Sequence, residues 1–542
     1  MKKLICVALG VTLSVAALAG CTYQKRSPDT ESTLEVYAFD AGYGVDWVGE
    51  MLDLFADQDW VKEKYPNLNI LQPITNDVSN FAESKLNAGE RSNTIDLIFG
   101  TNLFDYAGPN GDLLDLTESV YNSPVPGETD ESGKPVLWID KAIGSYNESN
   151  RYIDTTNLSS ESYYTVSWAA GMNSFVYNET ILNSFGLDVP NTTDDLEEVC
   201  ATIKANEGKD NGKYNEGYSF VQSREADYWS YLFPVWWAQY EGVSRYLDFW
   251  NGIDNDIYSV NIFRQQGRVK SLEVYEDLLA YSKGYLSLNS FLDEFMMAQT
   301  SFLQGHGVFH VNGDWFAKEM EQTMSDIISE EGGIDSFKTM RMPVVSALGV
   351  KLGIEDSTLS DIIDYLDGDT ASLPDFESTA GYTDDAVVAA VREARTIVHS
   401  IGPNHTAVIP AYANGKDVAV DFLRFMATDI AQESYIRSTG GASLPFNYDL
   451  KEKNIELYNE LHPLQQSRHD YFNAYEIYTL PSDRAFPLAR YGGIKAFVTE
   501  HYYTTFSANG NQKTPGDYYD ETISAWTSNK FNNALSNSGI VR

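Results

Sequence analysis

The chain has 542 residues, which at roughly 150 residues per domain accommodates more than one domain. Hydrophobic residues make up 43% and charged residues 21%, a globular balance that excludes wholesale disorder. Asp plus Glu number 78 against 38 Lys plus Arg, and the resulting charge of −40 repels phosphate, which excludes nucleic acid and anionic lipid as electrostatic partners. The 35 Tyr and 10 Trp must lie in core or in a binding surface.

Met1-Lys2-Lys3 and the apolar run Leu4 to Leu18 have the charged start and short apolar stretch of a secretory signal peptide. Leu18-Ala19-Gly20-Cys21 resembles a bacterial lipobox. The resemblance implies cleavage before Cys21 and acylation of its thiol. It makes 1–20 a signal and 21–32 a polar tether, and it puts the mature chain on the outer face of the bacterial cytoplasmic membrane. Cys6 leaves with the signal. Cys200 shares a helical stripe with Leu196, Val199 and Ile203 and reads as a small buried hydrophobe, so no disulfide is expected. After the signal no segment approaches 18 consecutive apolar residues.

Thr33–Phe39 is rich in β-formers and predicts a strand that ends at the Gly-containing loop Asp40 to Gly44. Trp47 to Trp60 has helical apolar spacing. Asn67–Ile70 is a strand candidate, Phe81 to Gly89 a short helix, and Ile95–Gly100 a buried strand running into Asn102. This alternation predicts βαβ units and a parallel sheet. Strand-like segments resume from Tyr163 through Trp168 to Tyr177. Thr192 with Asp195 forms a capping-box pattern that opens a helix. Phe291 to Gln304 reads as a helix closed by Gly305, then a strand to Val311 and the turn Asn312-Gly313-Asp314-Trp315. Residues 352–382 read as an acidic insertion with one short helix. His405–Ile409 is a strand, and Val418, Phe422, Phe425, Met426 and Ile430 make one helical stripe. The last ninety residues look mostly helical.

Several chemistries are missing. There is no phosphate-binding Gly-rich loop with Lys-Ser/Thr and no Gly-x-Ser-x-Gly elbow. Tyr43 between Gly42 and Gly44 lacks the third Gly of a dinucleotide fingerprint. His306 and His310 are four apart on a strand, which suits two strand histidines better than zinc. Asp210 to Glu216 lacks the alternating Asp ligands of a calcium loop, though calcium near 210–216 stays open. No cofactor and no metal is expected.

Three blocks, in order, carry a resemblance. They are Asn173 to Asn178 with Gly186 to Pro190 before the capped helix; Phe302 to Trp315; and Ala419 to Phe425 with Gly440 to Pro445. Together with the lipobox they resemble the extracellular solute-binding lipoproteins of bacterial ABC importers, specifically the sugar-binding group. The resemblance implies an α/β fold of the periplasmic-binding type: a two-lobed clamshell, each lobe a mainly parallel sheet flanked by helices, with chain crossings at the hinge. It divides the chain into 33–155 and 405–450 for the first lobe, with 156–404 and the C-terminal helices 451–542 for the second. It implies an oligosaccharide held between the lobes and delivered to permease subunits served by a cytoplasmic ATPase, by a monomer anchored through lipid. The family's positions then indicate Asp40, Asn102, Trp168 and Arg490 at the cleft, with Trp315 presented by its turn. Trp229 and Trp237 are the candidates from the Tyr-rich stretch around 228–240. A sugar asks for such flat rings and polar rims. Two other readings stand beside this one: a lipid-anchored secreted carbohydrate-active enzyme, and a binding protein of the same fold for a polyamine or another small solute.

Overall fold

The stretch expected as one strand, Thr33–Phe39, is divided by a buried hydrogen bond. In the computed structural model β1 (Thr33–Leu34) pairs in parallel with β3 (Asn69–Ile70), whereas β2 (Val36–Phe39) joins β4 (Ile74–Asn76) and β5 (Leu97–Thr101). The break falls at Glu35, whose N–H donates to Asp96 Oδ2 at 2.8 Å and so leaves the ladder. Described are residues 31–78, 80–91, 93–153, 161–209, 214–225, 227–331, 333–474, 477–494 and 502–540. The signal, Cys21 and most of the tether lie outside them, as do residues 210–213 of the loop weighed for calcium.

Helix α1 (Asp46–Asp57) lays Trp47, Val48, Met51, Leu52 and Phe55 on the first sheet, as its spacing predicts. That sheet has five strands in the order β6–β10–β5–β2–β4, with β6 at Val166–Ser167 and β10 at His405–Val408. Its β5–β2–β4 part is parallel, as the αβ alternation predicts. The strands β6 and β10 add antiparallel from distant segments.

The second sheet corrects the expectation of a mainly parallel one. Its central β7 (Ser174–Asn178) is flanked by β8 (Phe309–Asn312) and β9 (Phe337–Thr339), both antiparallel. A short run of apolar residues buried on both faces reads the same in either direction; only the return path of the chain sets it. Helix α2 (Thr193–Ala205) carries the predicted capping box, Thr192 with Asp195, and buries Cys200, whose thiol burial pushes up. The acidic stretch 352–382 contributes α3 (Asp356–Asp367), which sends Leu359, Ile362 and Ile363 into the second core. Ile430 departs from its expected stripe. One helix ends at Phe425 and Thr428 caps the next, so the register restarts and Ile430 is exposed.

Two cores result. The first gathers Trp47, Phe99, Trp168, Phe422 and Tyr435; the second gathers Phe175, Trp236, Phe249 and Leu278, with Leu488 and Phe531 from the C-terminal helices. The chain crosses between them after Ala169, after Ile397 and between Phe446 and Leu464. No described helix is long and apolar enough to cross a membrane.

Candidate functional site

The loop that follows β2 and the turn that follows β8 meet where the crossings gather. Trp315 leaves β8 through Asn312-Gly313-Asp314, yet its ring packs in the first core, with 6% of the residue exposed. It stands edge-on to Tyr43 of the first lobe at 6.2 Å and to Tyr231 at 6.4 Å. A Cβ at Gly42 would lie 2.7 Å from Trp315 Cδ1, so only glycine admits the ring there. Trp315 therefore bridges the lobes.

Polar groups surround the same point. The Tyr43 hydroxyl donates to Asp314 Oδ1 at 3.0 Å. Gln465 Nε2 donates to the Asp314 carbonyl at 2.8 Å, and Arg468 Nη2 stands 3.6 Å from Asp314 Oδ2. Burial raises the Asp314 carboxyl above its ordinary range, and Arg468 opposes that shift. Burial beside Asp314 likewise pushes the Tyr43 phenol well up. Edge-on to Tyr43 are Trp168 and His405, which stack on each other with centroids 4.6 Å apart, and Trp47 stacks on Trp168 at 5.6 Å.

The structure brings together few of the residues expected from sequence. Trp168 adjoins the site but is not open to a ligand. His405 and Trp47 cover its two faces, its indole N–H donates to the Gly100 carbonyl at 3.0 Å, and only 1% of it is exposed. Trp229 and Trp237 are corrected to core residues of the second lobe. Trp229 packs on Phe175 and Phe220. Trp237 packs on Tyr246 and Phe249 and donates its indole N–H to Gln265 Oε1 at 2.7 Å. A Tyr- and Trp-rich helix has more ring area than one exposed face accommodates, so its stripe turned inward. Asp40 is exposed at the end of β2, its N–H donated to Asn76. Asn102, with φ 56°, donates its N–H to the Asn404 carbonyl, and Asn404 is bonded in turn by Ser482. The Arg490 guanidinium lies over the rings of Tyr152 and Tyr491. Asn102 and Arg490 thus belong to contacts made with the C-terminal segment, apart from the Trp315 cluster.

Sequence reasoning missed Tyr43, Asp314, Tyr231, His405 and Arg468. Tyr43 offered one signal: a large ring between two glycines has room to be approached closely. His310 is a buried strand histidine bonded to the Val221 carbonyl, and His306 pairs with Glu216. A separate groove of about 850 Å³ on the second lobe includes Arg341 and Arg395, and both are paired with Asp367 at 2.9 and 2.8 Å.

Two sheet-based lobes, three crossings and a contact region between them define a solute-binding clamshell. The sequence matches the family described as Bacterial extracellular solute-binding protein over residues 67–460, and the chain belongs to that family. No curated protein matches the chain. Among solved structures it is similar to one from a study of xylan utilization by Caldanaerobius polysaccharolyticus, at 14% identity, with 91% of this chain and 100% of that chain covered and a TM-score of 0.56. The cyclic alpha-maltosyl-1,6-maltose binding protein of Arthrobacter globiformis is 15% identical over 94% of this chain and 99% of its own, with a TM-score of 0.53. An ABC transporter solute-binding protein of Thermotoga lettingae, bound with alpha-D-tagatose, is 14% identical over 94% and 100%, with a TM-score of 0.51. At these identities the likeness is one of fold.

Proposed function

We propose that this chain captures a carbohydrate, an oligosaccharide, between its lobes and hands it to an ABC permease, while an acylated Cys21 holds it at the outer face of the membrane. The observation that carries the reading is Trp315, a second-lobe ring seated against Gly42 and Tyr43 of the first. A ligand reaching that ring meets both lobes, so it shifts an open–closed equilibrium toward closure. A flat indole suits the C–H face of a sugar, and the nearby phenols and carboxylates suit its hydroxyls. The proteins of the same fold that bind a cyclic maltosyl-maltose and alpha-D-tagatose support the ligand class.

A thermal-shift panel of neutral oligosaccharides and polyamines tests this, because a ligand of the folded state raises its apparent stability. At least one oligosaccharide should raise Tm and be recovered unchanged. Stabilisation by polyamines alone would replace the ligand class, and turnover of the sugar would make the chain an enzyme. Cys21→Ala should release folded protein from the membrane fraction with its affinity intact; a mutant that stays with the membrane refutes the anchor.

A further inference from the structure

Asp314 is held at its carbonyl and at one carboxylate oxygen. Its carbonyl accepts from Gln465, its Oδ1 accepts from Tyr43, and its Oδ2 faces Arg468 at 3.6 Å, beyond ordinary hydrogen-bond reach. Oδ2 has no protein hydrogen-bond partner among the described residues. Arg468 is fixed in turn, donating to the carbonyls of Gly441 at 3.0 Å and Ala170 at 3.3 Å. Those carbonyls lie beside the crossings, so Arg468 sets its charge beside Asp314 at the hinge. Gly171, also on a crossing, has no room for a side chain: a Cβ there would sit 2.2 Å from Asp314 Oδ1.

The two ends of the Tyr43–Asp314 bond belong to different bodies. Tyr43 packs in the first core, 2% exposed, against Trp168 and His405. Asp314 belongs to the turn that ends β8 of the second sheet. Rotation of one lobe away from the other stretches this bond. It also lifts Trp315, the next residue, off Gly42. Opening would expose Oδ2 to solvent, so the Tyr43 bond of the closed form is set against the hydration of that carboxylate on opening. Such a balance suits a contact that must both form and release.

We infer that Asp314 is a positioning residue: held by Arg468 and Gln465, it latches the two lobes together through the Tyr43 hydroxyl. The latch acts on closure.

The test follows lobe separation in purified protein with no sugar present, by single-molecule energy transfer between dyes on cysteines placed at exposed Asp53 and Glu330. Tyr43→Phe deletes only the donor and should lower the closed-to-open ratio about tenfold, as for a hydrogen bond to an ionisable partner. Tyr121→Phe is the matched control. That buried hydroxyl donates to the Thr165 carbonyl at 2.8 Å inside the first lobe, so its loss should lower stability and leave the ratio unchanged. Asp314→Ala should open the lobes as Tyr43→Phe does, and the double variant should open them no further. If Asp314→Ala fails to fold, the Tyr43→Phe and Tyr121→Phe pair decides alone. A wild type with no closed population, or a Tyr43→Phe ratio equal to that of Tyr121→Phe, overturns the latch. Failure of every sugar in the panel would overturn the ligand class and leave this measurement standing, since no ligand enters it.

Discussion

Trp237 and Trp315 are both almost wholly buried, at 0% and 6% exposure, yet they do different things. Among the described residues, the rings that touch Trp237 come from the second lobe: Phe233, Tyr246, Phe249 and Trp250. Its indole N–H is satisfied 28 residues away by Gln265. Trp315 starts from the second sheet and finishes in the first core, against Gly42 and Tyr43. Degree of burial does not separate the two; the origin of the neighbours does. A side chain whose neighbours all share its lobe supports folding, and one whose neighbours lie across the hinge reports on closure.

The largest expected effect lies on the core side of that comparison. Trp237→Ala should cost about 3–5 kcal/mol, because a large cavity opens where nothing can collapse into it. Urea unfolding measures this, and a loss under 1 kcal/mol would move Trp237 out of the core.

Acid should then act on both lobes. Burial lowers His310 of the second lobe to about 4 and His405 of the first to about 3. His469 falls to about 3 through burial and the neighbouring Arg468. The folded state keeps these rings neutral, and the unfolded chain protonates them near 6.5. Stability is therefore full above about pH 6.5 and falls as pH drops toward 4, by on the order of 3 kcal/mol per histidine. Asp314 contributes with the opposite sign. Its raised pKa favours the folded state at low pH, and that contribution is lost as pH rises through it. Replacing His310 by Gln should flatten the acid limb of a stability-against-pH curve; an unchanged slope argues against a buried neutral ring.

On the interface side, Trp315→Ala should weaken sugar binding by on the order of 2 kcal/mol, as central aromatic anchors do. Its Tm should fall less than that of Trp237→Ala. A Tm loss equal to that of Trp237→Ala with affinity unchanged would make Trp315 a core residue and erase the distinction.

The smallest effect is local. Thr192→Ala removes the side-chain half of the capping box on α2 and the hydroxyl's bond to Asp356, and should cost about 1–2 kcal/mol with no change in affinity. Calorimetry beside a binding titration checks both halves, and a changed affinity would tie α2 to the cleft.

How much of this was legible in the chain differs between fold and site. The family blocks, the stripe of α1 and the cap of α2 could be read directly, and so could the turn that presents Trp315. Trp168, Trp229 and Trp237 could not be told from exposed platforms, because a tryptophan on a strand or helix has the same local pattern whether its partner is a sugar or another ring. Tyr43 was noticed only as part of a failed fingerprint.

By itself the sequence determined features that depend on residues within a turn of one another: amphipathic spacing, the Thr192–Asp195 cap, the strand after Gly307 and the glycine turns. Tertiary structure decided the direction of the second sheet, the interruption at Glu35 and the identity of the closing contact. Tyr43 and Asp314 are 271 residues apart, and their bond exists only once two separately packed cores are brought together. Short-range pattern carries the free energy of local order. Which groups face each other across a hinge is set by the return path of the chain, and no periodicity encodes it.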